Sequence, residues 1–65
     1  MMKSRLKVIL AERNLTQQEL KMKMKYPVAN STLSNIVNGT IPKLETASDI
    51  AQALEMKIED IWVFN

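Results

Sequence analysis

Between Ala29 and Gly39 the short hydrogen-bonding residues Asn30, Ser31, Ser34, Asn35 and Asn38 recur at i, i+1, i+4, i+5 and i+8. On a helix that spacing gathers them on one side, away from Leu33, Ile36 and Val37. A solvating face is normally built of Glu and Lys, and Asn and Ser are poorer helix formers by roughly a few tenths of a kcal/mol each. An asparagine amide pairs bidentately with adenine and a serine hydroxyl contacts several base edges, so this face has the chemistry to read a DNA major groove. Helix capping and turn stabilisation use the same residue types, and the spacing leaves both readings open. Upstream, Thr16, Gln17 and Gln18 put hydroxyl and amide donors at a helix start, where free backbone amides also favour a phosphate.

Other chemistries find little to work with. The 65 residues include no cysteine and no histidine, which removes disulfides, thiol nucleophiles and the usual zinc sites. Neither a metal nor a cofactor is expected, and no small-molecule ligand. The remaining carboxylates and lysines form no paired constellation, so catalysis is not expected either. Charge is divided unevenly: residues 1–43 carry eight Lys/Arg and two Glu, while 44–65 carry one Lys and five Asp/Glu, a net +6 against −4. Such a split marks either a nucleic-acid face or a solvated surface of mixed sign. No apolar run follows Met1 to Arg5 that would serve as a leader or a membrane span, and a cytoplasmic location with no membrane partner is expected.

The elements that must hold these residues follow from apolar spacing. A chain this short buries only about 60% of its extended surface and accommodates one domain, taken as residues 1–65. Single glycine usage disfavours a turn-rich β fold, and an all-α architecture is expected. Leu6, Ile9 and Leu10 predict a first helix within Lys3 to Arg13, closed by Asn14 in a left-handed conformation. Thr16 and Glu19 have the spacing of a capping box, so a second helix begins at Gln17 with Leu20 and Met24 inward, and Pro27 requires it to stop by about Lys25. A third runs from about Asn30 to Val37 and ends at Asn38-Gly39. Leu44, Ala47, Ile50, Ala51 and Leu54 predict a fourth after Pro42, and Ile58, Ile61 and Trp62 a short fifth.

In this order and spacing, four stretches resemble the Cro and phage-repressor class of helix-turn-helix regulators. They are Leu15-Thr16-Gln17-Gln18-Glu19-Leu20; Ser31-Thr32-Leu33-Ser34-Asn35-Ile36 with Asn38-Gly39; Pro42-Lys43-Leu44-Glu45-Thr46; and Ile50-Ala51-Gln52-Ala53-Leu54. The resemblance implies a compact, lambda-repressor-like five-helix bundle whose second helix crosses the DNA backbone while the third enters the major groove. By position it implies that Asn30, Ser31, Ser34 and Asn35 face base edges. Thr16 and Gln17, with Gln18 beside them, would meet phosphate, and Asn38, Thr40 and Lys43 would lie along the backbone.

Three departures accompany the likeness. The turn through Lys25-Tyr26-Pro27-Val28-Ala29-Asn30 is about two residues longer than the usual helix-turn-helix connection. Lys21 stands where relatives commonly keep a small residue. Leu10 and Val37 replace an arginine and a glutamate that pair in many relatives, and a double replacement by packed hydrophobes is tolerated where a single one strands a charge.

The resulting expectation is a sequence-specific transcriptional regulator of double-stranded DNA, acting as a repressor. The apolar run Ile61-Trp62-Val63-Phe64 either folds back on the first helix or makes a partner surface, and a homodimer contact through Ile61, Trp62 and Phe64 is favoured. The alternative is a protein-interaction module, such as an antitoxin that masks its partner through this apolar terminus.

Overall fold

Apolar residues at helical spacing form helices in each place where the sequence calls for one. The computed structural model describes residues 2–64. Its helices are α1 (Leu6–Glu12), α2 (Gln17–Lys23), α3 (Asn30–Val37), α4 (Leu44–Ala53) and α5 (Ile58–Ile61). Two short strands, β1 (Met2–Ser4) and β2 (Trp62–Phe64), pair antiparallel with Met2 opposite Phe64, Lys3 opposite Val63 and Ser4 opposite Trp62. The fold is therefore mostly helical, and the all-α expectation is corrected by this sheet. Lys3 pairs in the sheet instead of opening α1, and Trp62 leaves α5 in an extended conformation instead of extending it.

Helix ends are set by local chemistry. Thr16 caps α2: its hydroxyl oxygen accepts from the Glu19 amide at 3.1 Å, while the Glu19 carboxylate accepts from the Thr16 amide at 2.9 Å. Helices α1, α3 and α4 each close with a paired set of backbone bonds around a left-handed residue. In α1 the amides of Asn14 and Leu15 donate to Ala11 and Leu10, with Asn14 at φ 55°. Gly39 (φ 123°) and Glu55 (φ 56°) occupy the corresponding positions after α3 and α4. Asn tolerates this region and Gly is unstrained there, whereas Glu55 is held in it by its neighbours.

The core is shared by all five helices. Leu6, Leu20, Leu33, Ile50, Leu54 and Ile61 are its most deeply buried large side chains, joined by Ile9, Leu10, Met24, Ile36, Ala47, Ala51 and Trp62. Leu10 is buried and Val37 packs against the same cluster, so both positions of the apolar replacement contribute to the core. Leu44, expected on the inner stripe of α4, is the helix's first residue and is 74% exposed.

Candidate nucleic-acid interface

Helix α3 presents its apolar residues inward through Leu33 and Ile36, which leaves the polar side chains on the opposite side. Asn30, Ser31 and Asn35 are exposed and Ser34 is half-buried. Asn38 and Thr40 are exposed after the helix, and Lys43 is exposed immediately before α4. Asn35, Thr40 and Lys43, together with Thr32, line one groove of about 340 Å³. An amide that can both donate and accept thus stands beside a hydroxyl and an ammonium. Ala29, the residue preceding α3, offers no side-chain cap, and the first-turn amides of α3 remain available to an external acceptor.

Two side chains of α2, Gln17 in its first turn and Lys21 in its last, make polar contacts with the first residue of α3. The Gln17 side-chain amide donates to the Asn30 carbonyl oxygen at 3.2 Å, and the Lys21 ammonium donates to Asn30 Oδ1 at 2.9 Å. Lys21 therefore has a partner across the turn that the small residue common at this position would lack. Thr16 and Gln17 are engaged within the chain: the Thr16 amide and hydroxyl oxygen belong to the capping box, and one Gln17 N–H serves Asn30. The second amide N–H of Gln17 is left for a phosphate, while the Thr16 hydroxyl is shared with the Glu19 carboxylate. Gln18 is exposed. Of the lysines on α2 and after it, Lys23 is exposed, and the Lys25 ammonium lies 5.7 Å from the centre of the Tyr26 ring.

Asp49 is the positioning residue that reading the sequence missed. It lies on α4 with 7% of its surface exposed, and its two carboxylate oxygens accept from the Lys25 amide at 2.9 Å and the Tyr26 amide at 2.7 Å. This holds the long turn at the point where Met24 turns extended after α2. A buried carboxylate needs partners, and an extra stretch of turn needs acceptors for its amides. Those two requirements were the available signal, and they meet only in three dimensions. Arg13 ties the chain after α1 to the C-terminal end of α4, donating to the Leu54 carbonyl at 2.6 Å.

Of the three residues expected at a dimer contact, Ile61 and Trp62 are 0% and 3% exposed, buried in the hydrophobic core of their own chain. Phe64 is 78% exposed. Among the described residues no group of His, Cys, Asp and Glu is arranged to hold a metal ion, and no helix is long and apolar enough to cross a membrane.

Comparison with known protein families matches residues 6–61 to a family described as helix-turn-helix, the Cro and phage-repressor type. The chain belongs to this helix-turn-helix family. No curated protein matches the chain. As a member of the family it is a DNA-binding transcription regulator. The matched span contains every helix and every polar residue named above, from Thr16 to Lys43. Where this helix-turn-helix protein departs from the family's pattern, at Lys21 and in the turn, the departures are bonded to the frame through Asn30 and Asp49.

Proposed function

We propose that this regulator is a repressor that occupies double-stranded operator DNA as a homodimer, with α3 in the major groove and α2 across the backbone. The observation that carries the reading is the polar face of α3, exposed at Asn30, Ser31 and Asn35 and bordered in one groove by Thr40 and Lys43. In this mode Asn30, Ser31, Ser34 and Asn35 meet base edges. Thr16, Gln17, Gln18, Asn38, Thr40 and Lys43 meet the phosphates on either side. Phe64 supplies the dimer contact, since Ile61 and Trp62 are committed to the core.

Base readers and phosphate binders leave different signatures, and both are measurable on one operator selected from random DNA. Asn35→Ala should weaken that operator by roughly 1–3 kcal/mol and relax preference mainly at one base pair per half-site, with nonspecific binding little changed. Lys43→Ala should weaken specific and nonspecific DNA alike and lower the log–log salt slope by roughly 0.9 per lost contact. A uniform affinity loss in Asn35→Ala, with sequence preference intact, would refute the placement of α3. A free chain that selects no sequence at all would refute DNA readout and leave the partner-masking alternative.

A further inference from the structure

Resting on the DNA-reading proposal above, we infer that Lys21 and Asn30 act as one recognition unit that selects guanine at the base pair facing the start of α3. Lys21 lies on α2, and Asn30 is the first residue of α3. The Lys21 ammonium is 2.9 Å from Asn30 Oδ1. An ammonium group has three donors and no acceptor, so only the oxygen of the amide can face it. The amide orientation is thereby set by chemistry.

That orientation changes what Asn30 can read. Asparagine recognises adenine through both ends of its amide, accepting from the N6 amino group and donating to N7. Here the accepting end already holds a cation, and although its second lone pair is open, an adenine amino group placed there would bring its own partial positive charge against the ammonium. What remains is the amide NH2 together with the other N–H groups of Lys21, a set composed only of donors. Guanine presents two acceptors side by side in the major groove, O6 and N7, and is the base whose edge fits such a set. The N-terminal residues of a recognition helix are those that reach base edges, which puts the unit in range. The Gln17 amide, donating to the Asn30 carbonyl at 3.2 Å, ties the same residue to α2 from its backbone side.

Selection of sites from random DNA tests this with the full chain and four variants. The base pair at which Asn30→Ala loses its preference identifies the position. There the unaltered chain should prefer guanine, and Lys21→Met should shift the preference toward adenine by tenfold or more, since the amide is then free to use both ends. Lys21→Arg retains the donors and should retain guanine. Asn30→Asp keeps a partner for Lys21 but lacks the amide donors, and should lose guanine preference even if Lys21→Met were too unstable to assay. Adenine preference in the unaltered chain, guanine retained in Lys21→Met, or no lost preference in Asn30→Ala each overturns the inference while leaving DNA readout standing. If Lys21→Met only lowers affinity for all sequences, Lys21 is a phosphate contact and the inference is overturned as well. Absence of any selected site overturns the DNA-reading proposal and this inference with it.

Discussion

Glu19 acts over a distance of three residues. Accepting the Thr16 amide holds its carboxyl below the ordinary glutamate range, and the Thr16 hydroxyl and the charge of Lys23 lower it further. A carboxyl lowered on folding stabilises the native state above its unfolded pKa, and that contribution disappears as pH falls through the folded value. The capping box should therefore support α2 at neutral pH and fade in acid. Glu19→Gln keeps an acceptor for the Thr16 amide but does not titrate. Thermal melts of the two proteins should differ at neutral pH and converge as the pH is lowered into the acid range. A stability difference that stays constant over that range would show that the charge of Glu19 contributes nothing. At this scale the sequence is readable when the partners are close: Thr16 and Glu19, or Asn14 ending α1, require nothing beyond local spacing. The Lys21–Asn30 contact spans nine residues and a turn of unusual length, and spacing carries no trace of it.

Between elements, the arrangement of α2 and α3 depends on a residue belonging to neither. Pro27 accounts for why α2 cannot continue far, yet the helix ends at Lys23, and Asp49 on α4 receives the Lys25 and Tyr26 amides just beyond. Hydrogen bonds to a charged acceptor contribute about 1.5–3 kcal/mol each, less where water can replace the acceptor, as it can at this exposed turn. Asp49→Ala should then destabilise the protein by roughly 1.5–3 kcal/mol, lowering the melting temperature by about 6–24 °C at the 4–8 °C per kcal/mol of a domain of this size. Operator affinity should fall further than stability alone explains, because the turn sets how α3 stands relative to α2. Asp49→Asn retains one oxygen and should fall between the two. An Asp49→Ala protein that melts like the unaltered chain would show that the turn is held by packing instead. The helices themselves were legible because apolar periodicity is a property of each segment. Asp49 was not, because a carboxylate among the acidic residues of 44–65 looks like surface charge until the turn is folded against it.

For the whole molecule, the least legible feature is the joining of its two ends. Strands of three residues have no periodicity to detect, and the pairing of Met2 with Phe64 spans nearly the entire chain, so the apolar terminus left two outcomes open. Ile61 and Trp62 fold inward, while Phe64 stands 78% exposed opposite Met2, itself 41% exposed. Beside them an apolar groove of about 200 Å³ runs between Met2, Ile41, Leu44 and Ile58, floored by Trp62. In a two-fold dimer the same patch meets itself, so every substitution acts twice. Burying one phenylalanine side chain contributes about 1.5–3 kcal/mol, and Phe64→Ala should therefore weaken dimerisation by roughly 3 kcal/mol or more, at least a hundredfold in Kd. Two copies in contact, each 30 × 23 × 20 Å, are large enough to set paired α3 helices one DNA turn apart, about 34 Å. Sedimentation should thus show a dimer that Phe64→Ala dissociates, together with reduced operator affinity and an unchanged melting profile for the isolated protomer. Ile61→Ala should behave differently, destabilising the fold by roughly 2–5 kcal/mol through a cavity in the core. A chain that sediments as a monomer at tens of micromolar, with operator affinity indifferent to Phe64→Ala, would remove this surface from the mechanism and require each half-site to be read by an independent protomer.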